Sequence, residues 1–360
     1  MSTTRLSRVT AALAAVALMS VAACSNNAAT SSSGSEATAS DSSSITAKEP
    51  DVNGDGAVKI GVLSPGDLND HGYYESFVTK AQAFTDANGW DLIKVGAINP
   101  ADALEQARNM CRQGVDMVAL AAAELADAIP ASEEAVCANT AWYVPSSAGN
   151  VEVTPRITVS SDDVHEVLLA AGYGIGLLME DAGKTSAGFV SGPEADFSIA
   201  AAKAFRAGIR QVVPSAQLLT TYTGDFNNSA LAVEATRAQI QQGIGGLYPY
   251  LGGATDAAAA IGFGAGIPVA TPGTDRCAEN TFAMSVIFDP GEYFGAALQD
   301  FAEGKLQMGA ERKWKLGVDQ VPAITLCNGT AEQKQKLADF ISQIGSGAVQ
   351  PTAVIAAQGS

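Results

Sequence analysis

Lys59-Ile-Gly-Val-Leu-Ser-Pro-Gly-Asp-Leu-Asn-Asp-His-Gly-Tyr-Tyr-Glu-Ser-Phe77 is the stretch around which the chain is organised. Residues 60–63 are apolar, too few and too β-branched for a helix, and Pro65-Gly66 ends the run. Past the loop, Tyr73, Phe77, Ala81 and Phe84 recur at helical spacing. Strand, loop and helix in this order begin an open α/β sheet, whose ligands sit in the crevice beyond the carboxyl ends of the strands. Asp67, Asn69, Asp70, His71 and Tyr73 are therefore the first candidates for holding a small molecule.

The same rhythm runs outward from this unit. Strands are expected at 92–95, 116–121, 142–145 and 156–159, with helices at 101–113 and 125–137. It restarts with a helix at 163–181, a strand at 186–190, a helix at 197–211, a strand at 217–222 and a helix at 230–242. Strands at 246–251 and 267–270 flank an alanine-rich helix at 255–263. Strands at 282–288, 313–318 and 322–326 and helices at 290–304 and 331–344 complete the pattern. At 360 residues the chain exceeds one ordinary core. The fold class is α/β: two doubly wound parallel-sheet lobes joined by a hinge. Lobe 1 is expected to take 58–160 and 271–305, lobe 2 161–270 and 306–345, with 346–360 as a loose tail.

Arg5 and Arg8 precede an apolar run at 9–23 that is shorter than the roughly 20 residues a membrane-spanning helix needs, so it reads as an export signal. Val21-Ala22-Ala23-Cys24 resembles the lipobox of bacterial lipoproteins, which implies acylation of Cys24 and a membrane anchor outside the cytoplasm. Residues 24–57 are mostly small and polar and read as a disordered Ser/Ala/Thr-rich tether, spanning roughly 30 Å as a coil. The formal charge of −17 makes a nucleic-acid partner improbable on electrostatic grounds. In an exported body, Cys111, Cys137, Cys277 and Cys327 favour two disulfides, and order along the chain favours Cys111 with Cys137 and Cys277 with Cys327, with buried free thiols the alternative.

Catalytic motifs are weak. The chain holds two histidines, His71 and His165, so no histidine cluster can bind a metal, and no Gly-x-Ser-x-Gly elbow occurs. Asp51-Val-Asn-Gly-Asp-Gly56 starts like a calcium-binding loop, but its twelfth position is Val62, inside a strand. Gly183-Lys-Thr185 lacks the earlier glycine a phosphate-binding loop requires, Leu178 standing in its place. No cofactor is implied. Aromatic residues and glycines instead gather at expected strand ends: Phe197 after Gly192-Pro-Glu-Ala-Asp196, Tyr250 before Gly252-Gly253, and Asp275 in Gly273-Thr-Asp275. Aromatic faces with a few carboxylates and backbone groups suit a flat polar ligand.

These residues resemble the basic membrane protein family of nucleoside-binding lipoproteins, substrate receptors of ABC importers with the type I periplasmic-binding fold. The likeness runs from Lys59 to Gly304 and more weakly to residue 345. Gly66-Asp-Leu-Asn-Asp70 with Tyr73 is similar to the family loop whose Asp contacts the base and whose aromatic residue stacks on it. Gly188-Phe-Val-Ser-Gly192, Phe197 and Phe205-Arg-Ala-Gly208 resemble the start of the second lobe, and Gly252-Gly-Ala-Thr255 the glycine-rich loop. Gly273-Thr-Asp275 resembles the Gly-Val-Asp whose carboxylate holds ribose hydroxyls. The family's lysine on the next strand has no counterpart in Met284-Ser-Val-Ile-Phe-Asp289, which leaves a free base, a modified nucleoside or a sugar-like solute open beside a ribonucleoside.

The resemblance implies a monomeric, lipid-anchored solute receptor, not an enzyme, that meets a small-molecule ligand and the permease subunits of an ABC importer. A sugar receptor of the same fold is the nearest alternative. A lipid-anchored hydrolase using His71 is the reading from a different class.

Overall fold

A computed structural model describes residues 50–146 and 151–358; the expected export signal, Cys24 and all of the tether before residue 50 lie outside the described residues. Twelve strands and nine α-helices are formed among the described residues. In chain order the first half holds β1 (Lys59–Leu63), α1 (Tyr73–Asn88), β2 (Asp91–Val95), α2 (Ala103–Arg112), β3 (Met117–Leu120), β4 (Ala141–Ser146) and β5 (Thr158–Asp162). There follow α3 (Val164–Asp181), β6 (Ser186–Ser191), α4 (Asp196–Val212), β7 (Gln217–Tyr222), α5 (Ser229–Gln241), β8 (Leu247–Tyr250) and α6 (Thr255–Gly264). The chain closes with β9 (Ala270–Gly273), β10 (Met284–Ile287), α7 (Pro290–Ala302), β11 (Glu311–Trp314), β12 (Ala323–Leu326), α8 (Ala331–Gly345) and α9 (Pro351–Ala357).

Two sheets result. The first is all parallel, in the order β11-β5-β4-β3-β1-β2. Its strands are covered on both faces, as a parallel sheet requires. Ile60, Val62, Met117 and Ala119 face α1 and α7, where Phe77 stacks on Phe294 at 4.3 Å. Val118, Leu120, Trp142 and Val144 face α2 and the 3-10 segment Ala123–Glu133. That segment stands where an α-helix was expected; Pro130 inside it has no N–H to donate to an α-helical ladder.

The second sheet is built from β7-β6-β8 and β12-β10-β9, joined by a parallel bridge between Leu247 and Val269, with β12 antiparallel to its neighbour. One face packs on α3, α4 and α8. There α3 and α4 approach backbone to backbone: a Cβ on Gly172 would stand 2.0 Å from the carbonyl oxygen of Phe205, and one on Gly208 1.9 Å from that of Leu169. The other face carries Val190, Leu247 and Val269 against α5 and α6.

The lobe boundaries differ from the expected ones. The chain leaves the first sheet after Asp162 rather than at 160, and β9 and β10, expected in lobe 1, pair in the second sheet. It returns with α7 and β11, although 306–345 was assigned whole to lobe 2, and crosses again before β12. Each strand of this region is four residues long, so periodicity says nothing of its sheet; the pairing is decided by Met284 and Val286, which fill the core beneath α3. The tail is not loose, because α9 seats Val354 and Ile355 on the second core. Nor are residues 50–57 free tether: Asn53 donates its backbone N–H to Asp116 and its side-chain amide to the Gly114 carbonyl.

The crossings are tied together. Tyr293 donates its hydroxyl to Asp162 at 3.0 Å and stacks on Trp314 at 4.9 Å, and Trp314 Nε1 donates to Ser160 Oγ at 2.7 Å. Cys111 is bonded to Cys137 within lobe 1, and Cys277 to Cys327 within lobe 2.

Candidate functional site

The carboxyl ends of both sheets open on one cavity of about 660 Å³, within the roughly 300–1,000 Å³ usual for small-molecule sites. Lobe 1 contributes Asp70, His71 and Tyr73 from the loop and helix after β1, Glu124 after β3, and Pro145 at the end of β4. Lobe 2 contributes Phe197 at the start of α4, Phe226 after β7, Tyr250 and Gly252 at the end of β8, Arg276 after β9 and Phe288 after β10. The position is the one strand polarity dictates, since loops at the carboxyl ends alone can reach across the crevice.

The aromatic side chains are held by each other. Phe197 stacks on Phe226 at 6.0 Å and meets Tyr250 edge-on at 6.4 Å, while Tyr250 meets Phe288 edge-on at 6.2 Å. Opposite them, Tyr73 lies edge-on to Tyr74 at 5.4 Å. Burial raises the Tyr73 and Tyr250 hydroxyls above the usual phenol range, and the nearby Glu124 and Asp162 carboxylates raise them further. Both phenols therefore remain neutral, available as stacking faces with a polar tip.

The carboxylates have different employment. Asp70 accepts the backbone N–H groups of Gly72, Tyr74 and Glu75, fixing the first turn of α1; burial raises its carboxyl, and these three bonds oppose the rise. Glu124 is accessible from the cavity yet walled by protein, and this desolvation raises it. No arginine, lysine or histidine pairs with it among the described residues. Asp256 is bound to Arg276 Nη1 at 2.6 Å, and the same guanidinium holds Glu279 and lies over the Phe282 ring at 4.5 Å. Burial pulls that guanidinium down and the carboxylates of Glu279 and Asp256 outweigh it, so Arg276 stays charged.

Of the residues singled out in the sequence, Asp70, His71, Tyr73, Phe197, Tyr250 and Gly252 are brought together at the cavity, and four are not. Asp67 is exposed and turns back to accept the Asn69 N–H at 3.0 Å, so both leave the wall. Gly253 donates its N–H to Asn227 rather than toward a ligand. Asp275 accepts the Cys277 N–H at 3.0 Å, and the neighbouring Arg276 takes its place in the lining. Tyr74, Glu124, Phe226, Arg276 and Phe288 were missed. Phe288 follows a strand end and could have been found by the signal that found Tyr250; Glu124 stands in the short connection between the strand expected at 116–121 and the helix expected at 125–137, which the same signal marks.

The family model for the ABC transporter substrate-binding proteins that are PnrA-like, Bmp, matches residues 57–344. The chain belongs to this Bmp family. A comparison with curated protein sequences returned no match. Among solved structures, an ABC transporter solute-binding protein of Conexibacter woesei is 20% identical, with a TM-score of 0.62 over 82% of this chain and 98% of its own. One from Aeropyrum pernix is 15% identical, with a TM-score of 0.64 over 84% of this chain and 90% of its own. A periplasmic solute-binding protein of Actinobacillus succinogenes, solved with D-allose bound, is 16% identical, with a TM-score of 0.58 over 78% and 99%. At these identities the likeness shows the fold. This Bmp-family chain is thus a solute-binding receptor of an ABC transporter, not a member of an enzyme family, and its partners are a small-molecule solute and permease components.

Proposed function

We propose that this receptor is anchored by lipid at Cys24 on the extracytoplasmic face of the cell membrane, binds a nucleoside or related ring-bearing solute between its lobes, and hands it to the permease. The observation that carries the ligand reading is a single cavity with aromatic faces from both lobes, Tyr73 on one side and Phe197 and Tyr250 on the other. A flat ring held between such faces gains stacking on both sides. Because that ligand touches both lobes, it binds the closed arrangement better than an open one and shifts the hinge equilibrium by the difference. The anchor reading is supported by Val21-Ala22-Ala23-Cys24 after the apolar run.

Mass spectrometry of solute released from the purified protein, followed by calorimetry with nucleosides beside simple pentoses and hexoses, tests the ligand. Release and tight binding of a sugar lacking any base would overturn the nucleoside reading. For the anchor, Cys24→Ala should move the protein out of the membrane fraction; retention there after a carbonate wash counts against it.

A further inference from the structure

The charges around the cavity do not balance. Asp70, Glu124, Asp196 and Asp256 line it against one arginine, Arg276. That arginine is already committed to Asp256 and to Glu279, both within 2.7 Å, so it cancels Asp256 and is not free to receive an anionic group. Asp70 is committed as well, to the backbone N–H groups that open α1. The histidine at the rim, His71, has its Nδ1 turned to Glu75 at 3.5 Å. Among the described residues Glu124 and the exposed Asp196 at the start of α4 are left without a paired cation, and of the two Glu124 shares the cavity wall with Tyr73 and Tyr74.

Its place is central. Glu124 lines the same cavity as Tyr73 and Tyr74 of lobe 1 and Phe197, Tyr250 and Phe288 of lobe 2, so its carboxylate shares one enclosed space with the aromatic faces of both lobes. An unpaired carboxylate in a cavity walled by aromatic rings repels an anion, leaves a neutral ligand facing an uncompensated charge, and attracts a cation through both the carboxylate and the ring faces.

We propose that the cavity selects ring-bearing solutes that carry a positive charge, an N-alkylated or protonated heterocycle, with Glu124 as the counter-anion and Tyr73, Phe197 and Tyr250 as the faces against the ring. The assignment rests on the receptor reading above and narrows its ligand to a charge class.

The test uses matched pairs that differ in charge and hardly in shape: adenosine against 1-methyladenosine, and nicotinamide against 1-methylnicotinamide. Calorimetry on the full chain at neutral pH should show the cationic member of a pair binding about tenfold tighter or more, the scale of one charge-assisted contact plus a cation–π contribution. Glu124→Gln, which keeps the size of the side chain and removes its charge, should erase that preference, so that the two members of each pair bind alike. Equal binding of adenosine and 1-methyladenosine, or a preference that survives Glu124→Gln, overturns the charge assignment while leaving the nucleoside reading in place. Binding of 1-methylnicotinamide with neither nucleoside binding overturns the nucleoside reading and upholds the charge assignment. Binding of none of the four overturns both. The wild-type pairs stand as a test by themselves should the variant fold poorly.

Discussion

The two walls of the cavity are made differently. Lobe 1 presents tyrosines and acids on the first turns of its helical segments, where side-chain direction is set by helix geometry and by the Asp70 carboxylate. Lobe 2 presents a mutually packed set of rings, Phe197, Phe226, Tyr250 and Phe288, and neutralises Asp256 internally with Arg276. Lobe 1 thus supplies orientation and the carboxylate of Glu124, and lobe 2 supplies chiefly flat apolar area, with Asp196 at the start of α4. Division of this kind lets either lobe bind weakly alone while both together bind well, which is the condition for a solute to drive closure.

The pivot between the walls is where the comparison can be broken most severely. Burial, with Asp163 and Glu166 nearby and against the Tyr293 hydrogen bond, raises Asp162 from 3.8 to about 7. The folded state therefore holds this proton more tightly than the unfolded chain. Its stabilising contribution is complete below about pH 4 and is lost as pH rises to about 7, so stability from this group falls across that window. Asp162→Asn, which can still accept the Tyr293 hydroxyl, should flatten the slope and be more stable than the parent at pH 8. Urea denaturation at several pH values measures it, and an unchanged slope would remove Asp162 as the source.

Next in size is the lobe 2 wall. Phe197→Ala removes a face of the cavity and should cost about 2 kcal/mol, roughly thirtyfold in affinity for any ring-bearing solute, read by calorimetry. A comparable loss from Asp70→Ala with no change in stability would reverse the division between the walls. Asp70→Ala is instead expected to lower folding stability by about 1 kcal/mol through loss of the α1 cap, measurable as a drop in Tm with a lesser effect on affinity. Smallest are Tyr73→Phe and Asp275→Ala, each below about 0.5 kcal/mol in affinity. Tyr73 works through its ring, and the Asp275 carboxylate is turned to the Cys277 N–H.

Half of the site was legible because its residues occupy the positions strand polarity marks: Asp70 and Tyr73 after β1, Phe197 after β6, Tyr250 at the end of β8. Two of the errors are displacements by a single residue. Asp275 and Arg276 are neighbours, as are Gly252 and Gly253, yet one of each pair lines the cavity and the other does not. In a loop no periodicity assigns a face, and a single ψ rotation exchanges the residue that points inward for the one that points away.

What the sequence determined by itself is local and repetitive. The β-branched runs closed by glycine or proline, the 3.6-residue spacing of Tyr73, Phe77, Ala81 and Phe84, and the restart of that rhythm at residue 163 required two α/β lobes. The tertiary structure alone decided which sheet receives β9, β10 and β11, where the crossings fall, and that Glu124 shares a cavity with rings from both lobes and has no paired cation among the described residues. The physical reason is range. Hydrophobic period reports which face of an element is buried, but four-residue strands such as β9, β10 and β11 carry too little of it to name a partner. Their pairing follows from the volume left beneath α3 and beside β5, and the charge balance of the cavity exists only once loops distant in sequence have been brought to the same place.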